Sequence, residues 1–303
     1  MSERRASARV PLTIVVGTIQ GWPEIAPNVA SLRAAAEAAG GELIVADGSG
    51  LPAPSAADIG RVTRWISRPG ASVFQLRQVG YAEARGEVVA ITEDHCFVPR
   101  EWGRHFLDTH ARHPEAAAVG GSVENAATRH LIDWASFFVV QAAFMAPLPT
   151  GPAERVAGAV NVAYKRRALD SLRVYDGMGA MDILHQRMLR ERGEALWVED
   201  AIRVWHDQSL GVRATTVIHF HAGRTMSGFN RQRMNAYHWA RAAGAFVVPL
   251  ARLGRILAIG TRKGHGPRLA VSLPWIVWLL YSQAAGQFIG YALGPGESPR
   301  LVQ

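Results

Sequence analysis

The chain has 303 residues and a formal net charge of +8, 49% of its residues are apolar, and its mean hydropathy is +0.02. That length allows one large domain or one domain with an appendage, and the composition supports a sizeable core. A single cysteine, Cys96, excludes an internal disulfide and fits a reducing compartment. The basic balance suits phosphate-bearing ligands, nucleic acid or an anionic membrane surface. No basic and aromatic residues interleave as in single-strand binders, so no nucleic-acid partner is expected.

Residues 1–9 read as a disordered N-terminus without a secretion-signal pattern. Val10 to Val16 is a β-branched run that predicts a buried strand, followed by a loop, Gly17 to Pro23. Asn28 to Ala39 predicts a helix stopped at Gly40-Gly41. Glu42 to Ser49 predicts a second strand, ending in Asp47-Gly48-Ser49. Strand, helix and strand in this space make a βαβ unit and so a parallel sheet. Asp47 then sits at the sheet's C-terminal edge, where it either opens an ordinary turn or accepts a hydrogen bond from a ligand.

Leu51 to Ala57 reads as a loop, Arg64 to Ile66 as a short strand, and Arg77-Gln78 as the lead into a short helix through Ala84. Gly86 to Trp102 is the centre of the chain. Val88 to Ile91 is a buried strand, and it ends in Glu93-Asp94-His95, where open α/β sheets place ligands. Alternation puts Glu93 and His95 on one side and Asp94 on the other. A carboxylate and an imidazole on one side suit a divalent cation that also holds phosphate oxygens. The alternative is a polar cluster capping the next helix. Cys96 has no second cysteine at zinc spacing and reads as packing.

A helix follows from Pro99 and Trp102 to about His113, then a strand from Ala116 to Val119. Leu131 to Met145 predicts an apolar core helix. Gly158 to Arg166 alternates around Asn161 and turns basic. Gly177 to Asp182 opens a helix, Asp182 to Arg192, whose first carboxylate suits the helix macrodipole. Leu196 to Val198 and Ile202 to His206 read as two short strands or one extended arm, with His206 at its end. Residues 211–268 form an amphipathic, basic helical region: Arg224, Arg231, Arg233 and Arg241 lie on a polar helix, Ala242 to Ile259 is apolar but broken by Arg252 and Arg255, and Thr261 to Arg268 is a basic linker. From Leu269 to Gly296 no residue is charged. That is long enough to cross a bilayer, which takes about 20 apolar residues, and Trp275, Trp278, Tyr281 and Tyr291 resemble interfacial anchors. A transmembrane helix over 269–296 and a re-entrant or interfacial one are both open.

In this order the features resemble the family 2 glycosyltransferases. Leu43 to Ser49 resembles the strand ending in the family's acidic DDGS turn. Leu76 to Gly80 resembles its ARNxG segment, and Ala84 to Glu87 its AxGE. Glu93-Asp94-His95 falls where the family carries its metal-binding DxD. Gly158 to Arg166 resembles GANxAxRR, and Asp182 falls at the acid of the ED pair, followed by an arm ending in Val-x-His. The departures are Ala46 for the first acid of DDGS, Gln78 for Asn, Glu93 and His95 for the two outer acids of DxD, and Met181 for the glutamate of ED.

The resemblance implies an α/β, GT-A-like nucleotide-diphospho-sugar domain over residues 10–210, with a mostly parallel central sheet flanked by helices and a C-terminal membrane-associating segment. It implies inverting transfer of a sugar from a nucleotide-diphosphate sugar to a saccharide or lipid-linked acceptor, at the cytoplasmic face of the bacterial inner membrane, as in polysaccharide assembly. Mn²⁺ or Mg²⁺ would be held by Glu93, His95 and His206. Asp182 would be the general base, while Asp47, Arg77, Asp94 and Asn161 would contact the nucleotide sugar. Two other classes stay open: a non-catalytic, membrane-associated binding subunit, and a sugar nucleotidyltransferase. Against the second, Gly17 to Pro23 carries no arginine.

Overall fold

The structure, a computed structural model, describes residues 9–172, 182–231 and 234–302. Residues 1–8, the Gly177–Met181 lead into the Asp182 helix, and Arg233 lie outside the described residues. The chain divides into two compact units: Met1–Glu124 with Ala146–His206, and Asn125–Met145 with Asp207–Gln303.

The first unit is built on the βαβ unit read from the sequence. Strand β1 (Val10–Thr18), helix α1 (Ala26–Ala38) and strand β2 (Glu42–Asp47) follow in order. A one-turn helix α2 (Ala56–Ile59) then starts inside the stretch expected as loop. Its Ser55 and Asp58 form a reciprocal capping box, which satisfies the first free amides of the turn. After β3 (Thr63–Ser67) comes α3 (Val73–Glu83). This helix begins earlier than expected, because Ser72 and Gln75 form a second capping box. Arg77 therefore lies within the helix and is buried. Gly80 fits α3 closely onto β1: a Cβ there would sit 2.2 Å from Val15 Cγ1.

The chain continues through β4 (Gly86–Glu93), the two-residue β5 (Cys96–Phe97), α4 (Trp102–Arg112) and β6 (Ala116–Asn125). It returns with β7 (Gly151–Ala153), β8 (Val162–Lys165), α6 (Arg166–Ser171), α7 (Asp182–Glu191) and β9 (Ala195–His206); α5 belongs to the other unit. The two short strands or extended arm expected at Leu196 to His206 form one continuous 12-residue strand. The strands make one nine-stranded sheet in the order β3-β2-β1-β4-β8-β6-β9-β5, with β7 on β9. The β3-β2-β1-β4 half is parallel. Beyond it, β8 runs antiparallel to β4 and β6, and β5 and β7 antiparallel to β9, so the sheet is mixed. Its core brings together Val15, Val89, Ile91, Val162, Tyr164 and Leu189.

A half-buried ion pair locks the start of β4. Arg85 donates from Nε to Glu42 Oε2 at 2.8 Å, and Thr13 donates to Glu42 Oε1 at 2.8 Å. Burial alone would raise the Glu42 carboxyl, but these donors hold it below the usual carboxylate range.

The second unit is helical: α5 (Leu131–Gln141), α8 (Gly211–Asn230), α9 (Ala236–Ala243), α10 (Val248–Arg262) and α11 (Gly266–Leu293). The expected basic linker at 261–268 shrinks to the three residues between α10 and α11, because Pro267 sits in the first turn of α11, where its missing N–H costs nothing. By length and composition α11 could cross a membrane, and α9 with α10 together could do so but for a bend of 87° between them. Small residues seat α11 on α8. A Cβ at Gly286 would lie 1.9 Å from Phe220 O, and one at Gly290 would lie 2.4 Å from Arg224 O. Ser282 Oγ donates to Thr216 O at 2.8 Å, and Trp278 Nε1 to Thr216 Oγ1 at 2.9 Å.

Candidate functional site

Strand β4 carries Glu93 to the C-terminal edge of the parallel half-sheet, beside the end of β1, where Gly17 pairs with Glu93. The chain then turns, and β5 pairs with the end of β9 so that Cys96 faces His206 in register. This pairing brings together residues 111 positions apart. His95 Nε2 lies 2.9 Å from His206 Nε2. Glu93 Oε2 lies 3.3 Å from His95 Nε2 and 3.4 Å from His206 Nε2. Three electron-pair donors thus form a nearly equilateral triangle.

Such a triangle is what a divalent cation needs. Ligand atoms about 2.1 Å from one ion are about 3.0 to 3.4 Å apart when cis-octahedral or tetrahedral. Asp94 completes the arrangement: its Oδ1 is 3.0 Å from His95 Nδ1, so a proton held on Nδ1 by Asp94 would leave the Nε2 lone pair for a cation bound in the triangle. The charges agree with this fit. Burial alone would lower the His95 pKa, but hydrogen bonds to Asp94 and Glu93 and the charges of both carboxylates lift it to about 10. Burial would raise the Glu93 carboxyl, yet hydrogen bonds from His206 and His95 and the charges of His95 and Arg77 hold it well below its usual range. The cluster draws in positive charge, as a proton here or as a metal ion.

Cys96 Sγ lies in the same neighbourhood, within 4.8 Å of ligand atoms of Glu93 and His95. The thiol is fully buried, and burial pushes its pKa far above the range where a thiolate forms. The packing reading of Cys96 fits that setting. Its carbonyl accepts from Asn28 Nδ2 at 3.3 Å, which pins the turn between β4 and β5.

The remaining expected site residues divide into those facing open coordination and those tied to the scaffold. Asp47, at the end of β2, is fully buried. Its Oδ1 accepts from Ser49 N at 2.8 Å, the turn expected from the sequence, while its Oδ2 has no hydrogen-bond partner in the protein. A buried carboxylate oxygen without a donor is costly unless a ligand or water supplies one.

Asp182 begins α7 and is buried. Tyr81 and Tyr164 both donate to its Oδ1 at 3.2 Å. Burial and the Asp182 charge keep both phenols protonated far above their ordinary pKa. Asp182 Oδ2 has no hydrogen-bond partner and lies 3.7 Å from Arg77 Nη1.

Arg77 and Asn161 are tied to protein partners. The Arg77 guanidinium is enclosed and bridges two carboxylates, with Nη2 3.1 Å from Glu93 Oε1 and Nη1 3.7 Å from Asp182 Oδ2. It neutralises protein carboxylates instead of presenting itself to a phosphate. Asn161 is also committed to the scaffold. Its Nδ2 donates to Ser122 O at 2.8 Å and Ile202 O at 2.9 Å, and its Oδ1 accepts from Trp102 Nε1 at 3.0 Å. Both amide hydrogens and the carbonyl bond β6, β9 and α4, so Asn161, just before β8, braces the sheet. Tyr81 and Tyr164 were missed from the sequence. Tyr81 directly follows Gly80 and Tyr164 lies in the Gly158 to Arg166 segment, but a tyrosine in an apolar run carries no sign of its partner.

No protein-family model matches the chain, and no curated protein sequence matches it. The solved structures define the fold class: it is the mixed α/β, GT-A-like fold of glycosyltransferases. The likeness rests on a mannosyltransferase, PcManGT from Pyrobaculum calidifontis, solved in complex with GDP-Man and Mn²⁺. It is 15% identical, with 93% of this chain and 88% of that one covered and a TM-score of 0.55. Weaker likenesses are to GalNAc-T7 with UDP, GalNAc and Mn²⁺ (14% identical, 67% and 44% covered, TM-score 0.48) and to S. aureus TarS 1-349 (12% identical, 93% and 89% covered, TM-score 0.49).

Proposed function

We propose that the chain is an inverting, metal-dependent glycosyltransferase that moves a sugar from a nucleotide-diphosphate donor to the hydroxyl of a saccharide or lipid-linked acceptor. The observation that carries this reading is the triangle of Glu93 Oε2, His95 Nε2 and His206 Nε2 at the C-terminal edge of a GT-A-like sheet. PcManGT, which shares the fold, was solved with a nucleotide sugar and Mn²⁺.

Glu93, His95 and His206 would hold the cation, and Asp94 would fix the tautomer of His95. When bound, Mn²⁺ or Mg²⁺ supplies neutralisation of the charge that grows on the departing diphosphate, which helps the transition state more than the ground state. Asp47 Oδ2 would accept a hydrogen bond from the base or ribose. Asp182 Oδ2 would take the proton of the acceptor hydroxyl, with Oδ1 anchored by Tyr81 and Tyr164. Arg77 positions both carboxylates without touching substrate. A membrane-bound acceptor, met at the cytoplasmic face of a bacterial inner membrane, would match the apolar, basic helical unit.

Calorimetry with a panel of nucleoside diphosphates, with and without Mn²⁺, tests this reading on the wild type and on Glu93→Ala/His95→Ala. We expect one nucleotide to bind only with Mn²⁺, and the double variant to lose that binding by about a hundredfold or more, as removal of metal ligands does. Absence of nucleotide binding under every metal condition would refute the site.

A further inference from the structure

The helical unit carries a charge distribution unlike the rest of the chain. From Gln208 to Gly296 there is no aspartate or glutamate, while ten arginines and lysines lie in this stretch. The remainder of the chain holds 23 basic and 25 acidic residues, so this single stretch accounts for the whole positive balance.

Helices α9 and α10 show an inverted surface within that basic field. From Ala236 to Gly254 every exposed residue is aliphatic, aromatic or glycine. Trp239 is 65% exposed, Phe246 51% and Val247 67%, with Tyr237 and Leu250 alongside. The two arginines of the same stretch are half-buried and bonded within the protein. Arg241 donates to Tyr237 Oη at 3.1 Å and lies over its ring, and Arg252 donates to Gln283 Oε1 and to Val139 O. Over α9 and the first half of α10 the large aromatics are therefore the exposed side chains, while the exposed arginines, Arg255 and Arg262, lie further along α10.

The 87° bend sets Phe246 and Val247 at the corner between the helices. Ala245, buried beside them, and Pro249, buried in the first turn of α10, tie the corner down. Exposed cations bracket the apolar span, with Arg231 before it and Arg255 and Arg262 after it. An apolar wedge with cations at its rim and no local acids matches one surface, the headgroup boundary of an anionic bilayer. Helix α11 does not stand alone as a span: its Gly286 and Gly290 face lies against α8, which carries Arg213, His219 and Arg224.

We infer that the α9–α10 corner is a monotopic docking wedge for an anionic lipid surface, with Phe246 and Val247 inserted to the level of the headgroups and the flanking arginines on phosphate. The inference deepens the proposed membrane-bound acceptor, and its test does not depend on the metal site. Because Cys96 is the one cysteine and is buried, Phe246→Cys can be labelled selectively with an environment-sensitive fluorophore in the full chain. Controls carry the label at Arg104→Cys, on α4, and at Trp278→Cys, on α11.

On vesicles of phosphatidylcholine and phosphatidylglycerol in equal parts, the 246 label is expected to shift to the blue and to be quenched by lipids brominated near the headgroup, while the 104 label stays aqueous. Affinity should fall by about tenfold or more on phosphatidylcholine alone, as expected when several cations contribute. Phe246→Asp/Val247→Asp should lower vesicle affinity by a similar factor, with Mn²⁺-dependent nucleotide binding unchanged. The wedge is overturned if the 246 label stays aqueous on vesicles that bind the protein, if the 278 label alone is quenched by lipids brominated at the bilayer centre, or if a single-stranded oligonucleotide displaces the vesicles.

Discussion

The two units solve the problem of buried and exposed charge in opposite ways. The sheet unit leaves three large hydrophobic side chains exposed, Leu51, Ile183 and Trp205, while the helical unit leaves sixteen, among the described residues. The sheet unit sets cations against acids, as with Arg85 on the buried Glu42 and the enclosed Arg77 between Glu93 and Asp182. The helical unit collects arginines where no acid is near in sequence, and leaves its aromatics uncovered. The difference teaches where each unit expects its partner: the sheet unit at a small polar cluster, the helical unit along an extended apolar surface.

Three changes sharpen or break this comparison. The largest effect is expected at Asp182. Asp182→Asn keeps the shape and the hydrogen bonds of Tyr81 and Tyr164, but removes the proton acceptor, so kcat should fall by about 10²–10⁴-fold. Steady-state kinetics beside nucleotide-binding calorimetry checks this, because only the former should change. Unchanged kcat would move Asp182 from base to scaffold and leave the sheet unit with a binding role.

The next effect concerns stability of the sheet unit. His110 on α4 is buried, with Nε2 3.2 Å from Ala163 O, and burial pushes its pKa down to about 4. The unfolded chain protonates this histidine near pH 6.5, so between pH 6.5 and 4 the unfolded state binds the additional proton. Stability from the neutral imidazole is therefore complete above pH 6.5 and is lost as pH falls toward 4, by up to about 3 kcal/mol. Urea unfolding of wild type and His110→Asn between pH 4 and 7 would show it as a steeper pH dependence in the wild type. Parallel curves would assign the acid sensitivity to other groups.

The smallest effect belongs to the helical unit. A methyl at Gly286 meets Phe220 O at 1.9 Å, a backbone atom that cannot rotate aside. Gly286→Ala should cost about 1–3 kcal/mol, the usual range for overpacking. Thermal unfolding followed together with Mn²⁺-dependent nucleotide affinity separates the units: the first should drop and the second should hold. Loss of both would mean that the two surfaces are not independent.

The sequence made part of this legible for a physical reason. Local patterns announce themselves: the β-branched run of β1, the Gly40-Gly41 stop, and the apolar strand ending in Glu93-Asp94-His95 all follow from neighbouring residues. His206 could be proposed only through the resemblance, since its partner lies 111 residues away, and the β5–β9 register supplies that contact. The protein partners of Asn161 and Arg77 were hidden for the same reason. A polar residue in an apolar segment reads alike whether it faces a ligand or joins strands, and its partners Ser122, Ile202, Glu93 and Asp182 are distant in sequence. The internal bonds of Arg241 and Arg252 were equally hidden, because charge in a sequence carries no direction.

The register of Cys96 against His206 has a consequence for the order in which the protein matures. Two of the three candidate ligands, Glu93 at the end of β4 and His95 in the turn after it, come from one short stretch, but the third arrives only when β9 docks on β5. A nascent chain still short of His206 offers a cation an incomplete grip. Once the last strand is seated, an ion that binds the native sheet and not the unfolded chain stabilises the whole sheet by mass action. Manganese would then serve the growing protein as a latch that closes only on a finished sheet.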